Sequence, residues 1–93
     1  SDLTVSDSTA SLDLTEPLHA GRYVIYSGTG GTLNLPTTST AGEHYAILKI
    51  TGGNVTISRN GNSINGAASD FTLGTFKAAT CIAIGSNSWM VVG

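Results

Sequence analysis

The sequence predicts an all-β fold, a small antiparallel β-sandwich of jelly-roll type built from about eight short strands. Three observations carry this. Apolar residues alternate with polar ones in run after run; Gly, Asn, Pro or Ser bounds each run, so turn signals recur every eight to twelve residues; and no stretch shows sustained helical periodicity. The chain has 93 residues, enough for one domain and a modest core.

The runs, in order, are "SLDLT" (Leu12, Leu14), "TLNLP" (Leu33, Leu35), "AILKI" (Ala46, Leu48, Ile50), "NVTIS" (Val55, Ile57) and "DFTL" (Phe71, Leu73). Each reads as a strand with one core face and one wet face. "RYVIYS" and "ATCIAIG" are nearly continuous apolar runs and read as strands covered on both faces, either centrally or at a subunit contact. The closing "SWMVVG" is a further strand, with Trp89 alternating with Val91 as a core plug. "LTV" near the start is the weakest strand signal, and residues 1 to 12 are a candidate extended arm reaching a neighbouring subunit. "TTSTAGEHYA" holds an N-cap-like Thr or Ser before Glu43, but Gly42 intervenes, so it is read as a loop with at most one helical turn. No repeat of 20 to 50 residues fits more than about twice, and no linker divides the chain.

Composition narrows the function classes. Only 11% of the residues are charged, against about 25% in typical soluble domains, so the surface is mostly neutral and polar. A net charge of −2 with four Lys and Arg in all supplies no footprint for a phosphate backbone, and nucleic acid is not an expected partner. The longest apolar stretches are too short to span a bilayer, and no basic segment leads into an apolar one at the start, so membrane insertion and secretion signals are not expected. Cys81 is the only cysteine, which leaves no intramolecular disulfide. Its apolar context reads as core. With neither disulfide nor metal to staple a domain this small, self-association or docking on a larger body is the expected source of added stability.

The densest cluster of polar groups is "SRNGNSINGAASDF", residues 58 to 71. Asn60, Asn62, Asn65 and Asp70 could together form a recognition loop. A calcium loop needs several carboxylates and a bidentate Glu, whereas this stretch has one acid, so the two Asn-Gly pairs read first as tight turns, with Ile64 returning to the core between them. Glu43 and His44 are adjacent, but neighbours on an extended chain point to opposite sides, which separates them as an acid-base pair. Two histidines and one cysteine without paired spacing make no zinc site. "SGTGGT" lacks the Lys-Ser/Thr ending and following helix of a phosphate loop, and "GSNS" lacks the nucleophile-elbow pattern. No catalytic residue, metal or cofactor is expected. On "RYVIYS", Tyr23 and Ile25 share one face and Val24 and Tyr26 the other, so one tyrosine looks outward; Tyr23, Ile25 and Tyr26 are candidates for a subunit contact.

From about residue 31 onward, "GTLNLP", a glycine-containing loop, "YAILKI", "NVTISRNGNSING", an apolar strand and "GSNSWMVVG" follow in the order and spacing of small β modules on bacteriophage virion surfaces. The sequence resembles the modules of tail fibres, head fibres and capsid decoration proteins. The resemblance implies a non-enzymatic structural protein, a homotrimer made in the host bacterial cytoplasm and displayed on the virion surface, with other capsid or tail proteins as partners. Because the chain has no heptad shaft, collagen-like run or β-spiral repeat, decoration or cement is preferred over a complete fibre. The alternative is the receptor-binding head of a tail fibre, recognising a host cell-surface glycan or protein.

Overall fold

The computed structural model describes residues 4 to 93. Ten strands and one helical turn follow in the order β1 (Thr4–Asp7), β2 (Ser11–Asp13), α1 (Glu16–His19), β3 (Tyr23–Tyr26), β4 (Thr32–Asn34), β5 (His44–Lys49), β6 (Val55–Ser58), β7 (Ser63–Ile64), β8 (Phe71–Leu73), β9 (Lys77–Gly85) and β10 (Ser88–Val92). The fold is all-β, but it is solenoid-like where an antiparallel sandwich was expected. Six strands form one sheet in the order β1-β3-β5-β9-β10-β7, and four form the other in the order β2-β4-β6-β8.

The difference lies in how the chain travels. From β1 it crosses to the second sheet as β2, then returns to lay β3 beside β1 in the same direction, and it repeats the move through β4, β5 and β6. A strand that comes back only after visiting the opposite sheet cannot form a hairpin with its predecessor, so both ladders are parallel. Each coil delivers two short strands, the same strand spacing that a sandwich would show. Register partners such as Thr4 with Tyr23 and Tyr23 with Ala46 lie roughly 20 residues apart. The coil length varies, which hides the repeat from any search at fixed period. Only the last third turns antiparallel, with β8 on β6, β9 on β5 and β10 on β9.

Residues 4 to 12, expected as an arm, form β1 and the start of β2, paired to β3 and β4 of their own chain; the arm's first three residues lie outside the described part. The helical turn falls at α1 and not in "TTSTAGEHYA". Pro17 sits in its first turn, where a missing N–H costs nothing, and Glu16 places a carboxylate at its start.

The core lies between the sheets. Leu33, Leu35, Val55, Ile57 and Leu73 from the four-stranded side meet Val24, Tyr26, Tyr45, Ile47 and Trp89 from the six-stranded side, all buried. Tyr45 and Trp89 pack with ring centroids 5.8 Å apart and planes tilted by 48°, within the range of favourable aromatic pairs. Cys81 is a free, buried core residue between Ala79 and Ala83.

Strand β5 runs in the phase opposite to that expected. Tyr45, Ile47 and Lys49 face in, and Ala46 and Leu48 face out. Both faces of this strand are apolar enough that the period alone has no preferred phase, and a slip of one residue exchanges the faces. The large Tyr45 ring takes the interior, while Lys49 lays its stem inward and places Nζ 5.7 Å from the Tyr26 ring centroid, donating to the Thr51 carbonyl.

Candidate functional site: the polar turns and the outer sheet face

Residues 59 to 67 form two consecutive tight turns. The Asn62 N–H donates to the Arg59 carbonyl and the Ala67 N–H to the Ile64 carbonyl, each at 3.0 Å. Their central residues, Asn60 (φ 51°) and Gly61 (88°), then Asn65 (53°) and Gly66 (80°), all have positive φ, as a type I′ turn demands. Neither turn joins two strands of one sheet, because β7 belongs to the six-stranded sheet while β6 before it and β8 after it belong to the four-stranded one. Ile64 enters the core between the turns.

The side chains expected to recognise a partner are committed within the fold. Asn60 Nδ2 donates to the Leu35 carbonyl at 2.8 Å, and Asn62 Nδ2 to the carbonyls of Pro36 and Thr37 at 3.1 and 3.2 Å. Asn65 exchanges two hydrogen bonds with the backbone of Val91, donating from Nδ2 at 3.1 Å and accepting at Oδ1 at 2.9 Å. Its amide thus copies a backbone peptide and extends the β7–β10 ladder past the end of β7. Asp70 Oδ1 accepts the Arg59 N–H at 2.9 Å. These four residues gather in one region, but their polar groups fasten the turns to the strand ends.

The titratable groups are equally committed. Tyr45 donates to Glu43 Oε2, and its hydroxyl titrates above its ordinary range, first because it is buried and then because of that carboxylate. Glu43 Oε1 accepts the Thr40 N–H at 3.2 Å. His44 is exposed, with Nδ1 3.1 Å from the Gly42 carbonyl, and it lines the same cleft as Glu43. His19 is buried under the first coil; its Nδ1 accepts the Thr15 N–H at 2.9 Å, and its Nε2 has no partner among the described residues. Burial lowers its pKa, against a smaller opposing effect from Asp7. Burial also pushes the Cys81 thiol up to about 12, so it stays protonated and a poor nucleophile at neutral pH. An open cleft of about 760 Å³ lies between α1 and the loop 38 to 43, with Glu16 and Glu43 as its acids. Among the described residues no three His, Cys, Asp or Glu side chains converge as a metal set, and no helix is long and apolar enough to cross a membrane.

The unusual surface is elsewhere, on the outer face of the six-stranded sheet. Read across the register, one row runs Tyr23, Ala46, Thr80, Val92. The next rows are Ile25, Leu48, Ala78 and His44, Ile82, Met90. None of these rows contains a carboxylate, lysine or arginine. Tyr23 is 53% exposed, Met90 48% and Val92 58%, with Ile84 of β9 beside them at 54%. Beneath Tyr23 the small Ala46 and Thr80 leave a hollow of about 260 Å³, rimmed by His44 and Arg22.

Of the three expected contact residues, Tyr23 and Ile25 lie on this face. Tyr26 does not: it is fully buried, and its hydroxyl donates to the Thr9 carbonyl at 2.7 Å. The inward phase of β3 puts Tyr26 between the sheets, where its ring carries the corner of the first coil. Sequence reasoning missed Leu48, Met90 and Val92 as surface residues. The signal was present in runs apolar at consecutive positions, which a core on one side cannot absorb. The chain matches no protein-family model and no curated protein sequence, so its site rests on the geometry above.

Proposed function

We propose that the chain is a non-enzymatic structural module that works by protein–protein contact through the outer face of its six-stranded sheet, as a decoration, cement or fibre component on a bacteriophage virion. The observation that carries the contact reading is that face: three rows of neutral, largely apolar side chains, with Tyr23, Ile84, Met90 and Val92 each about half exposed. Large contiguous apolar patches on soluble proteins mark interaction sites. The virion setting rests on the ordered resemblance from residue 31 onward. A non-enzymatic role is supported by side chains whose donors and acceptors are spent on the backbone, with Cys81 held as an inert thiol. Because Asn60, Asn62 and Asn65 are so committed, contact through the sheet face is favoured over host recognition by the turn cluster.

Mass spectrometry of purified particles of the virus that encodes the chain tests the setting. The chain is expected as a stoichiometric particle component. Its presence in infected cells but not in particles would overturn the reading.

A further inference from the structure

The outer face carries both halves of a self-complementary contact. In the row Tyr23, Ala46, Thr80, Val92, the hollow over Ala46 and Thr80 lies one to two strands away from the projecting Val92. In the row His44, Ile82, Met90, the long projecting side chain again stands on β10. Ridge and hollow share rows, so a two-fold axis along the strand direction, passing between β9 and β10, superimposes them without displacement along the strands. Such an axis brings Val92 of each copy over the other's hollow, and Met90 of each copy over the other's Ile82 and His44. An interface of this kind uses one patch twice and closes on itself.

Size sets the strength of the contact and charge permits it. Strands about 4.8 Å apart, with outward side chains about 6.7 Å apart, give the three rows a footprint of roughly 300 Å², which suits a weak, concentration-dependent pair, since one partner of a standard interface contributes roughly 800 Å². No charge lies in the three rows, so two identical faces meet without like-charge repulsion; Arg22 stands only at the rim of the hollow. A capsid site would have to supply a matching apolar face, whereas a second copy already has one.

We propose that this face is a two-fold interface between two copies of the chain, with the β10 ridge of each seated in the Ala46–Thr80 hollow of the other. The proposal deepens the contact reading above and rests on it. Two copies related by a two-fold axis close as a pair, which sets this assembly apart from the trimer that the resemblance implies.

Sedimentation equilibrium of the wild-type chain from about 1 µM to about 1 mM tests it, beside Val92→Lys on the ridge and Thr80→Arg in the hollow, each checked for an unchanged far-ultraviolet spectrum. The expected result is a wild-type dimer and a dissociation constant raised at least tenfold in both variants, equivalent to about 1.4 kcal/mol or more. Should one variant unfold, Met90→Lys replaces it. A monomer throughout, a trimer, or a dimer indifferent to these substitutions overturns the proposal. A monomer nevertheless found in particles overturns the pairing alone, and a dimer absent from particles overturns the virion reading alone.

Discussion

Asn65 supports the fold in two separable ways. Its backbone occupies the left-handed region, which costs most L-residues roughly 1 kcal/mol or more, and its amide makes the two hydrogen bonds to Val91. Asn65→Gly keeps the turn conformation and loses the bonds, so urea denaturation should show a loss of about 1 to 2 kcal/mol. Asn65→Ala should lose about 1 kcal/mol more. Equal losses would mean that the positive φ carries no cost here. Phe76 is the converse case, a bulky residue at φ 55° and 78% exposed. It is strained without burying its ring, and Phe76→Gly should stabilise by up to about 1 kcal/mol in the same measurement. His19 gives the fold a pH response, facing Asp7 and Arg22. Its folded pKa lies below the ordinary 6.5, so the unfolded chain binds more protons and stability falls as the pH drops through 6.5 toward the folded value. His19→Asn offers Thr15 a similar acceptor but takes up no proton. Thermal melts from pH 7 to 5 should therefore show a shallower decline in that variant; identical slopes would remove His19 as the cause.

At the scale of elements, the corner between β3 and β4 decides whether the coils stack. Gly31 sits there at φ 95°, where an added Cβ would lie 2.7 Å from the Ala10 carbonyl oxygen and 2.5 Å from the Tyr26 hydroxyl. The same carbonyl accepts the Thr32 N–H at 2.9 Å, tying the first coil to the second. Gly31→Ala should cost about 2 kcal/mol or more from backbone strain and the close contact together, with amide exchange speeding up most in β2 and β4. Exchange unchanged in those strands would place the weak joint elsewhere. The elements themselves were largely legible: Leu33 with Leu35, and Val55 with Ile57, alternate into the core as their pattern predicts. The direction of pairing was not, because alternation along a strand carries no information about whether its neighbour runs parallel. The phase of β5 was not legible either, since Ala46 and Leu48 are as apolar as a core face and the inward set includes Lys49. That misreading and the proposed contact surface have one cause, apolar residues on a side of the sheet that the chain's own core leaves uncovered. The turn cluster was the opposite case. Its Asn-Gly chemistry announced the turns, but the carbonyls at Leu35, Pro36 and Val91 that occupy its amides come from distant parts of the chain.

The whole molecule is a short coil of strands, 32 × 31 × 20 Å, with one broad side sealed by the four-stranded sheet and the other presenting Tyr23, Met90 and Val92. A domain of this size gains from association by mass action, so its melting temperature should rise with concentration; a value constant across a hundredfold range would mean that the exposed face adds nothing to stability. The central claim is that this face, and not the polar turns, is where the protein meets protein. Hydroxyl-radical footprinting read by mass spectrometry tests it most directly, comparing the dilute chain with the assembled one. The account predicts that oxidation of Met90 and Tyr23 slows several-fold on assembly while Phe76, on the turn before β9, reacts at the same rate. Protection of Phe76 or of residues 59 to 67, with Met90 and Tyr23 unchanged, would contradict it.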